Sequence, residues 1–200
     1  MSPDDVSRET RERLSIYAAL VQKWNPRINL VSRASLENLR ARHIADSAQL
    51  HDLAPHPVAH WADLGSGGGF PGLVIAILAQ ETGTPGRVTL VESDARKSAF
   101  LRTVIRETGI AATVLTRRIE AAAPLGADVL SARALADLAT LLGHAVRHLA
   151  PGGAAIFPKG ASWRQEIAEA QSKWQFISRV DKSRTDPDAV ILHITGVSRA

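Results

Sequence analysis

The chain places five glycines and a proline in the stretch WADLGSGGGFPG, residues 61–72, directly after a short apolar run. Glycine weakens helices and strands, so such a cluster indicates that the backbone turns tightly or that a ligand approaches it closely. The apolar segment GLVIAILAQ follows and predicts a buried helix. A strand, a glycine-rich turn and a helix in this order are typical of α/β sheets that bind a ligand at the turn.

Seven strand-like segments alternate with helix-like segments from residue 60 onward. Strands that are separated by helices form a mostly parallel sheet covered on both faces. The sequence therefore predicts an α/β fold with a seven-stranded, mostly parallel sheet, whose last two strands form a closing hairpin. The predicted strands are WADL, RVTLVES, ATVLTR, GADVLSA, AAIFPKG, FISRVDKS and DAVILHITGV.

Several residues carry expectations about where helices begin and end. The segment ALADLATLLGHAVRHLAPGG predicts a long helix that stops at the Pro-Gly-Gly of residues 151–153. The segment DARKSAFLRTVIRETG predicts an amphipathic helix that ends at Gly109. Nearer the N-terminus, Pro26 is expected to break the first helix, and Ser35 is a candidate cap of the helix that follows.

Residues 1–57 and residues 58–200 differ in character. The first range predicts only helices, whereas the second holds all the predicted strands. The proline-marked segment APHPVAH lies at the boundary between them. We therefore expect an N-terminal helical extension, which we call the arm, followed by one sheet domain.

Positive charge is concentrated in the arm. The segment from Lys23 to His43 carries five Lys or Arg residues against one acid, an excess equal to the net charge of +4 of the whole chain. A local basic face indicates a polyanionic partner such as RNA, although a solvated helical surface carries charge in the same way. The candidate RNA-binding residues are Arg27, Arg33, Arg40 and Arg42 in the arm and Lys159 after the fifth predicted strand.

The composition excludes several kinds of chemistry. The 200 residues include no cysteine, which excludes disulfides, thiolate metal sites, iron–sulfur clusters and a thiol nucleophile. The N-terminal MSPDDVSRETRER lacks the apolar core of a signal peptide, and no apolar run reaches membrane-spanning length. We expect a cytoplasmic monomer that binds neither a membrane nor a metal ion.

Two acidic residues end the first two predicted strands, at the edge where such sheets bind ligands. Asp63 ends the first strand, and Glu92 ends the second. The Glu92 carboxylate is placed to accept hydrogen bonds from both hydroxyls of a ribose. Residues 67–72 formally match the dinucleotide pattern G-x-G-x-x-G. Asp63 instead favours S-adenosylmethionine, because an acid there binds an ammonium group and repels a pyrophosphate. The residues alone leave both ligands open.

Six motifs then appear in a characteristic order, namely KWNPRINLVS, RHIADS, DLGSGGGFPG, TLVESDARKSAFL, SARALA and FPKG. Together they resemble the RsmG (GidB, glucose-inhibited division protein B) family, and the resemblance covers roughly residues 20–165. It implies a Rossmann-like, S-adenosylmethionine-dependent methyltransferase fold. It also implies that the chain methylates N7 of a guanine in 16S ribosomal RNA, either as RNA or within the small ribosomal subunit.

The resemblance assigns further residues to the cofactor. It implies that Gly65 and Phe70 of the glycine-rich loop contact S-adenosylmethionine, and that Ile119 and Glu120 lie on the adenine side. It also places Arg133 near the cofactor, where we expect this cation to pair with the methionine carboxylate or with an incoming phosphate. The complete set of predicted cofactor-binding residues is Asp63, Gly65, Gly67, Phe70, Glu92, Ile119, Glu120 and Arg133.

The implied reaction requires no catalytic residue. Guanine N7 carries a lone pair in the plane of the ring and no proton, so the protein has only to hold N7 in line with the methyl group. We therefore expect catalysis by proximity, without a general base. Two other functions remain open from the sequence: a small NAD-binding oxidoreductase, and a non-catalytic RNA-binding protein of ribosome assembly.

Overall fold

A computed structural model of the protein describes residues 5–200 and contains one seven-stranded sheet of order β3-β2-β1-β4-β5-β7-β6. Strands β1 to β5 are parallel, and β7 runs antiparallel to both β5 and β6. The predicted sheet and its closing hairpin are therefore confirmed. The strands are β1 His60–Leu64, β2 Arg87–Glu92, β3 Thr113–Thr116, β4 Ala127–Ala132, β5 Leu149–Lys159, β6 Trp174–Lys182 and β7 Val190–Arg199.

Helices precede the sheet and cover both of its faces. A π-helical turn, Arg40–Ala45, lies between the second and third helices, and a 3₁₀ turn, Ile119–Ala121, follows β3. None of the helices within residues 5–200 combines the length and the apolar character that crossing a membrane requires. The helices are α1 Arg8–Ile28, α2 Arg33–Leu36, α3 Asp46–Leu53, α4 Gly72–Thr82, α5 Ala95–Thr108, α6 Leu138–His148 and α7 Trp163–Gln171.

Helix α1 continues through Pro26, so the predicted break at this residue is wrong. Both Pro26 and Gln22, whose carbonyl loses its helical partner, are exposed, so water can replace the missing hydrogen bond. The helix ends at Asn29, which adopts a left-handed conformation with φ of 49°. Helix α5 ends as predicted at Gly109.

The predicted cap Ser35 is also wrong, because Ser32 caps α2. The Ser32 hydroxyl accepts a hydrogen bond from the backbone N–H of Ser35 at 3.2 Å.

The long helix that was predicted to stop at Pro151 ends earlier. Helix α6 ends at His148, three residues before Pro151, because β5 already begins at Leu149. The register of β5 against β4 shifts in this region, and the irregular start of the strand accommodates Pro151.

The arm packs against the sheet domain through a continuous apolar core. One face of α1 is buried at residues 14, 17, 21 and 25, and this face packs on α4 and α5. Inside the sheet, Trp61 is wholly buried and its indole N–H donates to the Ser131 hydroxyl at 2.9 Å. The division between residues 57 and 58 stays a prediction, and the arm and the sheet domain share this core.

The loop before β7 returns to the arm, a contact that the sequence did not predict. The backbone N–H of Arg184 donates to the Gln49 side chain at 2.9 Å, and the Thr185 hydroxyl donates to Asp46 at 2.8 Å. Arg184 also forms an ion pair with Asp52 at 2.8 Å. Residues 183–189, which we call the return loop, are therefore fixed against α3 although they lie about 135 positions away in sequence.

Asn25 provides a test of how the arm is held. Its buried side-chain oxygen accepts hydrogen bonds from the N–H groups of Leu30 at 2.7 Å and Val31 at 2.9 Å. We predict that Asn25→Ala lowers the free energy of unfolding by about 1–3 kcal/mol, because both donors lose their partner. Urea denaturation measures the change, and the exposed Asn38→Ala serves as the matched control. Equal stability of the two variants would contradict this role.

Candidate functional site

The glycine-rich loop connects β1 to α4 with several residues in the left-handed region. Gly67 and Gly69 have φ of 52° and 93°, a conformation that other residues rarely adopt. At Gly69 a Cβ atom would also lie 2.8 Å from the Tyr17 hydroxyl oxygen, and at Gly65 it would lie 2.6 Å from a methyl group of Leu135. Packed side chains therefore leave no room for a side chain at Gly65 or Gly69, whereas the backbone at Gly67 is open and partly exposed at the carboxyl edge of the sheet.

Glu92 holds this loop from the end of β2. The side chain is only 8% exposed, and its two carboxylate oxygens accept from the backbone N–H groups of Gly67 at 2.8 Å and Asp94 at 2.7 Å. A carboxylate offers about four acceptor positions, so these two bonds leave capacity for the hydroxyls of a ribose. Glu92 therefore lies where the sequence predicted an acid for a nucleoside.

Asp63 lies beneath the glycine-rich loop, at the end of β1. It is wholly buried, and its oxygens accept from the Ser131 hydroxyl at 2.7 Å and from the Gly72 N–H at 3.3 Å. Burial raises the pKa of Asp63 from 3.8 to about 6, although these donors oppose the increase. In this position Asp63 joins β1 to β4 and to the start of α4, and its contact with a cofactor stays a prediction.

An aromatic cluster joins the arm to the loop. The ring of Phe70 lies 5.0 Å from that of Tyr17 and 4.9 Å from that of His43. The Tyr17 hydroxyl donates to the carbonyl of Gly68 at 2.6 Å, and burial raises the pKa of Tyr17, which keeps this donor protonated. The sequence analysis did not identify Tyr17. Its helical spacing from two buried apolar residues places it on the buried face of α1.

Arg133 completes this cluster from the segment that follows β4. Its guanidinium lies 5.2 Å from the centre of the Phe70 ring, donates to His43 Nδ1 at 2.6 Å and pairs with Asp46 at 3.4 Å. Because Arg133 can only donate, His43 Nδ1 must accept and the imidazole is neutral. Burial and the neighbouring Arg133 accordingly lower the pKa of His43 to about 4. The role of Arg133 toward a cofactor stays a prediction.

The remaining predicted cofactor residues lie at the same edge of the sheet. Ile119 opens the 3₁₀ turn after β3 and is nearly buried, whereas the side chain of Glu120 is 71% exposed and lies 3.9 Å from His144. Leu135, after β4, lies over the loop backbone at Gly65. The carboxyl ends of β1, β2 and β4 and the turn after β3 thus lie at one region of the sheet edge, which we call the crevice.

The predicted RNA-binding residues divide into two groups. Arg27, Arg33, Arg40 and Arg42 are exposed on the arm. Lys159 is instead held inside the protein, where its ammonium group pairs with Glu166 at 2.7 Å and donates to the Ala136 carbonyl at 3.1 Å. Lys159 therefore differs from the four arginines in that its charge is already neutralised by Glu166.

A cavity of about 640 Å³ opens beside the crevice. The arm, the segment after β4, the end of β5 and the return loop form its walls. Arg133 is the only predicted cofactor-binding residue that lines it. Within residues 5–200, no group of three or more His, Asp or Glu side chains is arranged to hold a metal ion. The polar residues that line the cavity include Arg42, His43, Asp46, Arg133, Lys159, Glu166, Thr185 and Asp186.

Comparisons with known proteins agree with this geometry. Residues 10–194 match the family described as rRNA small subunit methyltransferase G (GidB). A protein of Ruegeria pomeroyi with the name ribosomal RNA small subunit methyltransferase G is 58% identical over 203 residues, which cover 100% of this chain and 99% of the relative. A protein of the same name from Ruegeria sp. (strain TM1040) is 55% identical over 195 residues, with coverage of 98% and 95%.

Solved structures with lower identity share the fold. A TehB-like SAM-dependent methyltransferase from Corynebacterium glutamicum superposes with a TM-score of 0.59 at 15% identity, covering 91% of this chain and 98% of its own. A mutant of MtNAS in complex with S-adenosylmethionine superposes with a TM-score of 0.60 at 17% identity, covering 92% of this chain and 74% of its own. The predicted Rossmann-like methyltransferase fold is confirmed.

The buried carboxyl of Asp63 predicts a distinctive pH dependence. Below about pH 3 the group is largely protonated in both the folded and the unfolded state, because its pKa is about 6 in the folded protein and 3.8 in the unfolded chain. As the pH rises to about 6, the unfolded state loses the proton first, so the folded state loses up to about 3 kcal/mol of stability from this group. Asp63→Asn does not titrate. We expect its unfolding free energy, relative to wild type, to increase by about that amount between pH 3 and pH 7.

Urea titrations of both proteins at several pH values provide the measurement. The difference between the two proteins cancels the contribution of every other carboxyl group. A difference that does not change with pH would show that Asp63 keeps an ordinary pKa in the folded state.

Proposed function

The chain belongs to the rRNA small subunit methyltransferase G family, and on that premise we propose that it transfers a methyl group from S-adenosylmethionine to N7 of a guanine in 16S ribosomal RNA. One observation supports this proposal above all others. A buried carboxylate, Glu92, faces a loop of bare glycine backbone at the carboxyl edge of a methyltransferase sheet. The homologues do not favour the two alternatives, an NAD-binding oxidoreductase and a non-catalytic assembly protein.

The residues of the crevice fit S-adenosylmethionine by their chemistry. When bound, the cofactor supplies a methyl group activated by a positively charged sulfur. We propose that Glu92 accepts hydrogen bonds from the ribose hydroxyls and that Gly65 and Gly67 bring backbone to the ligand. Ile119 offers an apolar surface to the adenine, and Phe70 contacts the ligand from the loop. Glu120 and Arg133 complete the proposed set, together with Asp63 beneath the loop.

The protein's contribution to the reaction is to position the base. Guanine N7 has an available lone pair and loses no proton on methylation, so alignment within about 3–3.5 Å replaces acid–base chemistry. The hydrogen bonding of His43 meets this requirement. The neutral His43 accepts from Arg133 at Nδ1, which leaves this nitrogen unable to take a proton from substrate. We therefore assign no general base.

The arm supplies the proposed affinity for RNA. Phosphate contacts dominate such binding, and Arg27, Arg33, Arg40 and Arg42 are exposed on one extension of the fold. The proposed partner is 16S ribosomal RNA or the small ribosomal subunit, and the proposed setting is a cytoplasmic monomer. Lys159 becomes available to a phosphate only if Glu166 releases it.

The proposed function has a direct test. Small ribosomal subunits from cells that lack this protein are incubated with the purified protein and S-adenosylmethionine, and the 16S ribosomal RNA is digested and analysed by mass spectrometry. We expect 7-methylguanosine at one position. Methylation at another atom of guanine would correct the chemistry, and the absence of any methylation would overturn the proposal.

Substitution of Glu92 provides the most direct test of the proposed cofactor site. We expect Glu92→Gln to weaken binding of S-adenosylmethionine by about tenfold to a hundredfold, because hydrogen bonds to a charged acceptor contribute about 1.5–3 kcal/mol. Isothermal titration calorimetry measures the affinity, and methyl transfer should fall with it. The control is Glu107→Gln, at the exposed end of α5. Unchanged cofactor affinity in Glu92→Gln would remove this residue from the site.

The basic residues of the arm should determine how strongly RNA binding depends on salt concentration. We expect the double variant Arg27→Ala/Arg33→Ala to bind 16S ribosomal RNA more weakly and to reduce the slope of log K against log salt by about one to two, because each phosphate contact contributes about 0.7–0.9. The control is Arg106→Ala/Arg179→Ala, which removes two arginines that pair with Glu107 and Asp181. Filter binding at several salt concentrations measures both slopes. Equal slopes would contradict an RNA-binding arm.

A further inference from the structure

The charges that line the cavity are largely paired with one another. Arg133 pairs with Asp46 at 3.4 Å, and Lys159 pairs with Glu166 at 2.7 Å. Two charged side chains of the lining remain, Arg42 on the arm and Asp186 on the return loop. Neither forms an ion pair with any residue in the described range 5–200. The cavity therefore presents one available cation and one available anion on different elements.

The cavity adjoins the glycine-rich loop and is distinct from the crevice beneath it. Leu30 lines the cavity, and its carbonyl oxygen would lie 3.1 Å from a Cβ atom on Gly68. Arg133 belongs to both spaces, because it lines the cavity and lies over Phe70 of the loop. A molecule in the cavity therefore lies next to a ligand held by the loop. The volume of about 640 Å³ falls within the range of about 300–1,000 Å³ typical of small-molecule sites.

Asp186 is oriented by its surroundings. One carboxylate oxygen accepts from the backbone N–H of Asp188 at 3.0 Å, and the carbonyl of Asp186 accepts from the N–H of Ala189 at 3.2 Å. The preceding Thr185 is bonded to Asp46 of α3. The second carboxylate oxygen makes no hydrogen bond to another residue of the described chain. An anion with spare acceptor capacity is thus held on a fixed loop at the cavity wall.

A guanine nucleotide matches the available cation and the available anion of the cavity. A guanine nucleotide carries an anionic phosphate and, on its Watson–Crick edge, the neighbouring donors N1–H and N2–H. A carboxylate accepts both donors, whereas the same edge of adenine has an unprotonated N1 that a carboxylate repels. N7 lies on the opposite edge of the purine, so recognition at N1 and N2 leaves N7 free to react.

We propose that the cavity receives the target guanine nucleotide of the RNA, with Asp186 accepting hydrogen bonds from N1–H and N2–H and Arg42 contacting the phosphate. This inference rests on the proposed function and adds the residue that selects guanine. The base leaves its stack to enter the cavity, as target bases do in enzymes that modify them.

The test combines a change in the protein with a change in the base. Full-length 16S ribosomal RNA is ligated to carry either guanosine or inosine, which lacks the N2 amino group, at the position that the wild-type protein methylates. Methyl transfer is measured for the wild type, for Asp186→Asn and for the control Asp188→Asn. Asp186→Asn keeps an acceptor for the Asp188 N–H and so preserves the loop.

We expect Asp186→Asn to reduce kcat/KM for guanosine RNA by about tenfold to a hundredfold, in line with the loss of a bidentate base contact. Its affinity for S-adenosylmethionine should match that of wild type, and Asp188→Asn should retain wild-type activity. Inosine should slow the wild type but add little to the loss already present in Asp186→Asn, because both changes remove the same contact.

Two results would overturn the inference while leaving the proposed function intact. Wild-type activity of Asp186→Asn would exclude a contact at this residue, and fully multiplicative losses from the variant and from inosine would place recognition of N2 elsewhere. Failure of the wild-type protein to methylate both the guanosine RNA and small subunits reconstituted from it would instead overturn the proposed function, and the assignment of the cavity with it.

Discussion

Two backbone N–H groups meet on the buried carboxylate of Glu92, and the geometry of the whole crevice depends on this arrangement. One N–H belongs to Gly67 and the other to Asp94, so a single side chain fixes the glycine-rich loop against the start of α5. Charged acceptors form the stronger class of hydrogen bonds. The loop in turn determines where Phe70 lies, and through this ring it determines the positions of His43 and Arg133. Glu92 at the end of β2 thus connects, through the loop and Phe70, to two side chains that line the neighbouring cavity.

The arm is as much a part of this crevice as the sheet is. Tyr17 donates to the loop at Gly68, His43 stacks on Phe70, and Asp46 pairs with Arg133. Each of these side chains comes from the N-terminal helices and contacts a residue that follows a strand. The arm, which we propose to bind RNA, thus also shapes the crevice, and these contacts connect its basic face to the glycine-rich loop.

The sequence predicted those features that depend on local patterns. The strand order along the chain, the glycine-rich turn and the acid at Glu92 each follow from neighbouring residues, because apolar runs form strands and glycine permits left-handed turns. The sequence did not predict features that depend on partners distant in the chain. Pro26 stays helical because its face is solvated, Lys159 is neutralised by Glu166 from the next helix, and Tyr17 reaches the loop across 51 positions. No local pattern in the sequence encodes such pairings.

The attachment of the return loop to α3 has a consequence for how far this protein can be shortened. The glycine-rich loop follows the first of the five parallel strands, and the hairpin of β6 and β7 does not contribute to it. The hairpin nevertheless closes one side of the neighbouring cavity, through contacts of Gln49 and Asp46 with residues near the C-terminus. A chain truncated after β5 would lose the buried apolar side chains of β7 from the core that they share with β1, β4 and β5, together with the acidic wall opposite the arm. A shortened form of this protein that keeps both the loop and the cavity therefore has to extend through β7.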